Sequence, residues 1–155
     1  PGGPSVANAA KTGDPKAYRL PVPHVEGKYN VSFSGLKTAV LNEVNQAQMK
    51  GTDINVPDLA ASFQERIAGI LAEKLLLAAA DTGAKQVCLA GGVAANSRIR
   101  GDFQAACDAA GIRLFVPPLK LCGDNAAMIG AQAYYEYLAG NTAGSELNAY
   151  ATKEL

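Results

Sequence analysis

At 155 residues the chain has the length of one domain able to bury a core of its own. Its 14 Lys plus Arg balance 14 Asp plus Glu, which excludes a broad field drawing in nucleic acid or an anionic membrane and leaves any polyanion to a local patch or a partner. Cys88, Cys107 and Cys122 lack C-x-x-C spacing and sit in or beside apolar stretches, no run reaches the length of a membrane span, and no signal peptide is visible; reduced core thiols and a cytoplasmic location are expected.

The opening Pro1-Gly2-Gly3-Pro4 reads as a turn, and Pro4 can start a short helix through Lys11 that Gly13 stops. The absence of an initial Met suggests a fragment whose missing N-terminus could carry an address. Prolines at 15, 21 and 23 then make a connecting arm. His24 is the one histidine in the sequence and reads as an exposed loop residue, since it can form no histidine pair for a metal here. Tyr29, Val31 and Phe33 alternate with polar residues, the period of a half-buried strand. Ser34 can cap a helix bearing Leu36, Val40 and Val44 on one side, with Lys37 in its first turn facing water or an anion.

Pro57 suits the first position of the next helix, with Asp58 in its first turn. Leu59, Phe63, Ile67, Leu71, Leu75 and Ala79 follow at a spacing of four, the longest element of the chain. Residues 75–80 are apolar all round and should lie buried, and Asp81-Thr82-Gly83 ends the helix.

An apolar run of strand length, Val87 to Ala90, stops at Gly91-Gly92, and helical spacing resumes at Asn96, which can cap it. Such a turn lets the backbone approach a ligand, and the following helix offers unpaired N–H groups and the positive end of its dipole. It is neither a P-loop nor a three-glycine dinucleotide fingerprint, and a tight packing turn remains open as its role. Ile99, Phe103, Cys107 and Ala110 form the apolar stripe of the next helix, stopped by Gly111. Arg113 to Val116 is a second strand, closed by Pro117 and Pro118. The last helix opens after Asp124-Asn125, with an inner face of Met128, Ile129, Tyr134, Tyr137 and Leu138, and a mobile tail follows Gly140.

The sum is α/β. Two strands are too few to cover such apolar helices, so further strands are expected upstream of Pro1. Asp124 is either an N-cap or a metal ligand. If both strands end on one sheet edge it lies near the glycine turn, where α/β sheets bind ligands.

Four blocks carry a resemblance: Ser32-Phe33-Ser34-Gly35-Leu36-Lys37-Thr38-Ala39, Ala60-Ala61-Ser62-Phe63-Gln64, Leu89-Ala90-Gly91-Gly92-Val93-Ala94-Ala95-Asn96 and Cys122-Gly123-Asp124-Asn125-Ala126-Ala127-Met128-Ile129. Together with the Pro1-Gly2-Gly3-Pro4 opening they resemble, in order and up to about residue 140, the tRNA adenosine threonylcarbamoyltransferase family, once called O-sialoglycoprotein endopeptidase or glycoprotease. The resemblance implies an actin-like, Hsp70-like ATPase fold of two lobes, with this chain the later, helix-rich part of the second lobe and an incomplete sheet. Within it, residues 1–56 form an arm and helices, 57–140 the α/β core and 141–155 a tail.

The resemblance further implies transfer of a threonylcarbamoyl group from threonylcarbamoyl-adenylate to N6 of adenosine 37 in tRNA. Asn96 would contact the bound nucleotide, threonylcarbamoyl-adenylate or ATP, with Gly91 and Gly92 forming the turn beside it. Asp124 would ligate one divalent ion, iron or zinc. The family's H-x-x-x-H pair is missing, so the other ligands would lie outside this chain and the isolated chain should be inactive. Implied partners are tRNA, a related non-catalytic dimer partner and a small ATPase subunit, with no membrane. Two alternatives stand beside this: a non-catalytic scaffold relative of the same fold, and the metalloprotease of the older name, for which no H-E-x-x-H helix is present.

Overall fold

The computed structural model describes residues 2–149, so Pro1 and the end of the expected tail, 150–155, lie outside the described residues. The described part is helix-rich with a small parallel sheet of two strands: α1 (Gly2–Ala9), α2 (Ser34–Lys50), α3 (Val56–Thr82), β1 (Gln86–Cys88), α4 (Ser97–Ala109), β2 (Arg113–Phe115) and α5 (Ala126–Leu138).

The 27-residue α3 is the spine. Its start is set by the Asn55 side chain, which accepts from the Asp58 N–H at 3.2 Å, with Pro57 in the first turn, where no N–H is needed. Its stop is Gly83, left-handed at φ 67°. Along its first turns Ala60 and Ala61 pack against Ala10, while further on Ala68 packs with Ile99 and Phe103 of α4 and is flanked by Leu89 and Leu114 from the sheet. Small residues at these positions let the neighbouring backbones come close. Gly13 shows the same demand: a Cβ there would collide with the Pro57 carbonyl and sit 2.7 Å from the Asp58 nitrogen.

Several expectations need correction. Gly2, Gly3 and Pro4 are helical rather than a turn, because the first turn of a helix tolerates a residue without an N–H. Residues 29–33 form no strand; no described strand lies beside them to pair with, and Tyr29 and Val31 are exposed. Ser34 is the first residue of α2 rather than its cap, although Leu36 is fully buried as expected and Lys37 is exposed. Leu75, Leu76 and Leu77 are only half-buried, since no described element covers that stretch of α3 fully. Ala110 is exposed, past the end of the α4 stripe.

The expected inner face of α5 is likewise exposed, with Ile129 at 62% and Tyr137 at 70% of full accessibility, because nothing described packs on it. Of the thiols, Cys107 and Cys122 are buried and Cys88 is exposed, so Cys88 is no core residue. Burial, helped by Asp108, pushes the Cys107 thiol above its ordinary value and keeps it protonated.

Three features hold as read. The arm has no regular structure and His24 is exposed. Gly111 stops α4 at φ 67°. No helix among the described residues is long and apolar enough to cross a membrane.

Candidate functional site

β1 and β2 run parallel, with Gln86, Val87 and Cys88 opposite Arg113, Leu114 and Phe115. Parallel pairing sends both following loops off the same, carboxyl, edge of the sheet. The Leu89 N–H donating to the Phe115 carbonyl at 2.9 Å extends the pairing to that edge. Beyond it, the loop after β1 carries Gly91 and the loop after β2 carries Asp124, and the two line one cavity of about 610 Å³. Most of its wall is apolar, including Phe115, Leu121 and Met128. A space of this size with one carboxylate on an apolar wall suits a small ligand with a flat apolar part and a polar end.

Gly91 has φ 84° and ψ 173°, a backbone region that side-chain-bearing residues almost never enter. Gly92 has an ordinary conformation with open space where a Cβ would stand, and it starts a 3-10 turn, Gly92–Ala95, before α4 begins. Of the glycine pair, Gly91 is therefore the one the turn requires. It lines the cavity; Gly92 does not.

Asn96 caps α4 as expected: its Oδ1 accepts from the Arg98 N–H at 2.9 Å and the Ile99 N–H at 3.1 Å. Its Nδ2 donates to Gln64 Oε1 of α3 at 2.9 Å. The helix donors expected to meet a phosphate are thus spent on a side chain, and Asn96 lies outside the cavity wall. Its role here is to fasten the turn to α3.

Asp124 is not the cap of α5. Asn125 is, accepting from the Met128 N–H at 2.9 Å. The Asp124 carboxylate makes no hydrogen bond or ion pair with any described residue, which leaves it available to a ligand. As a metal site the chain falls short: no group of three or more His, Cys, Asp or Glu among the described residues is placed to hold an ion. One carboxylate does not fit iron or zinc by itself.

Arg100 was not singled out in the sequence, yet it ties the two loops together. It donates to the Ala94 carbonyl in the first loop, and to the Pro117 carbonyl at 2.9 Å and Cys122 Sγ at 3.0 Å in the second. Its position one turn after Asn96 was the available signal. Arg98 alongside it donates from Nε to both carboxylate oxygens of Asp102, at 2.9 and 2.7 Å, and also pairs with Glu65 of α3. Asp102, then Glu65, raises the Arg98 pKa further above its ordinary value. Arg100 thus braces the two cavity loops against each other, while Gln64 and Glu65 of α3 hold the start of α4 through Asn96 and Arg98.

Residues 1–131 match the family described as tRNA N6-adenosine threonylcarbamoyltransferase (TsaD). The chain is similar to curated proteins of that name from Symbiobacterium thermophilum, 50% identical over 149 residues, and Moorella thermoacetica, 47% identical over 152 residues. A third, from Clostridioides difficile, is 45% identical over 150 residues. Each alignment covers 96% of this chain but only 43–44% of the relative, so the chain spans less than half the length of these proteins.

Proposed function

The chain belongs to the tRNA N6-adenosine threonylcarbamoyltransferase family, and from that premise we propose that it supplies the nucleotide-side wall of the site that transfers threonylcarbamoyl from threonylcarbamoyl-adenylate to N6 of adenosine 37 in tRNA. The observation that carries this is the meeting of Gly91 and the unpartnered Asp124 in one cavity at the carboxyl edge of parallel strands.

In this proposal the apolar wall at Phe115, Leu121 and Met128 takes the adenine face, and the bare backbone at Gly91 lets the sugar and phosphate approach. Gly92 continues that turn, and Asn96 acts on the nucleotide by holding the turn in place. What these residues contribute is orientation: fixing donor and attacking amine in line removes a large part of the entropic barrier. Asp124 gives one ligand to an iron or zinc ion whose other ligands come from outside the chain, and threonylcarbamoyl-adenylate or ATP is the nucleotide bound.

The open sheet and the uncovered α5 support a larger lobe, the second of an actin-like, Hsp70-like fold. We place the arm and helices of that lobe at 1–56, its core at 57–140 and a tail at 141–155. The partners that go with the reading are tRNA, a related non-catalytic dimer partner and a small ATPase subunit, in the cytoplasm.

The test is nucleoside mass spectrometry of tRNA modified by the full-length protein with its partners. Asp124→Ala should lower modification at least about 100-fold, the scale for loss of a group acting at the reacting centre, without lowering the melting temperature. Wild-type levels in Asp124→Ala would remove Asp124 from the site. No modification by the unmutated full-length protein would favour the non-catalytic scaffold.

A further inference from the structure

A second cavity, of about 530 Å³, lies between the arm and α3 and shares no lining residue with the first. Lys16, Tyr18 and Arg19 line it from the arm, and Arg66 lines it from α3. Most other cations near α3 are committed: Arg98 to Asp102 and Glu65, Lys28 to Asp81, Lys74 to the Lys28 carbonyl. The side chains of Lys16, Arg19 and Arg66 make no hydrogen bond or ion pair with any described residue. Two carboxylates share the lining, Glu65 and Glu73. Glu65 is already held by Arg98, so three uncommitted cations face one uncommitted carboxylate.

Such a cluster is unfavourable by itself, because like charges repel and a single uncommitted carboxylate, Glu73, stands against three cations. The backbone beneath it is nevertheless pinned. The Asp14 N–H donates to Asp58 Oδ1 at 2.8 Å, the Tyr18 N–H donates to Ser62 Oγ at 3.1 Å, and Ser62 Oγ donates to the Asp14 carbonyl at 3.3 Å. Ser62 and Leu20 are buried, 3% and 2% exposed. An arm held this way loses little entropy when a ligand arrives.

We propose that Lys16, Arg19 and Arg66 dock the phosphodiester backbone of the RNA substrate, a reading that rests on the proposed function. Guanidinium groups match phosphate oxygens in a planar fork, and the half-buried Tyr18 ring beside them offers a face for an unstacked base. In a chain of zero net charge this is a local patch of the kind an RNA needs.

The experiment measures binding of a labelled tRNA transcript to the full-length protein, with its partners, across a salt series. Lys16→Gln, Arg19→Gln and Arg66→Gln combined should weaken binding about tenfold or more and lower the slope of log K against log salt by about 2, as loss of two to three phosphate contacts requires. KM for tRNA should rise while kcat holds. Arg19→Lys with Arg66→Lys, which keeps the charge, should retain the slope. Unchanged affinity and slope in the triple variant, with the unmutated protein binding normally, overturn the docking site alone. Failure of the unmutated protein to bind tRNA overturns both the proposed function and this site. If the triple variant does not fold, the exposed Arg19→Gln alone decides, with a slope change of about 1 expected and no change counting against.

Discussion

Asn96 donates to Gln64 across 2.9 Å while its oxygen caps α4, so one amide joins the glycine turn, α4 and α3. Asn96→Ala removes both functions and should cost about 1–2 kcal/mol, the range for loss of a cap. Asn96→Asp keeps the acceptor and loses the donor to Gln64, so its melting temperature should fall between those of Asn96→Ala and the unmutated chain. Thermal unfolding of the three separates cap from fastening; equal melting temperatures for Asn96→Ala and Asn96→Asp would mean the cap contributes nothing.

The two glycines of the turn should respond unequally. Gly91→Ala forces a Cβ into a conformation reserved for glycine and should lose about 1–3 kcal/mol. Gly92→Ala meets open space at an ordinary φ and should stay within about 0.5 kcal/mol. Denaturant titration of both variants checks the ranking, and equal losses would contradict the geometry of the turn.

Gly13→Ala tests the seat of the arm on α3. The added methyl meets backbone, which cannot rotate aside, so the arm must lift. We expect a loss of about 2–3 kcal/mol and faster proteolysis within residues 14–23; a neutral variant would mean that the arm is loosely held.

Lys28 Nζ lies 2.5 Å from Asp81 Oδ2, and the Tyr29 hydroxyl donates to the same oxygen at 2.6 Å, tying the segment before α2 to the end of α3. Lys28 first, then Tyr29, holds the Asp81 carboxyl below its ordinary value, and Asp81 raises both of theirs. A lowered carboxylate stabilises above its unfolded pKa and loses that contribution as pH falls through the folded one. The melting-temperature gap between the unmutated chain and Asp81→Asn should therefore begin to narrow as pH falls below about 5 and go on closing below the ordinary aspartate pKa of about 4. The raised Lys28 and Tyr29 contribute below their unfolded values and lose this as pH rises through the folded ones. A gap that is constant with pH would show that the network does not titrate with folding.

Local chemistry was legible in the residues. Asn96 announces its cap and Gly83 and Gly111 their stops, because each acts within a turn of its own position. The shared sheet edge bringing Gly91 to Asp124 also followed from strand order. Residues 29–33 were not legible, since alternation marks a strand only where a partner pairs with it. That Asn125 rather than Asp124 caps α5 is a matter of one residue of register, which dihedral angles decide and composition does not. Burial of Leu75 to Leu77 and of the α5 face depends on what covers them, and a helix sequence cannot state its own neighbours.

One turn of α3 carries four separate tasks. Ser62 holds the arm, Gln64 the Asn96 amide, Glu65 the Arg98 guanidinium, and Arg66 opens on the second cavity. Successive residues of a helix are about 100° apart in phase, so Ser62, Glu65 and Arg66 share the face that lines the second cavity while Gln64 points away from it to the glycine turn, and all four are locked to one another by the winding itself. A single-residue insertion ahead of Ser62 would turn all of them together, detaching the arm and unbracing the glycine turn in one event. Change at this turn is thus confined to substitution, while length variation is free to accumulate in the loops on either side of α3.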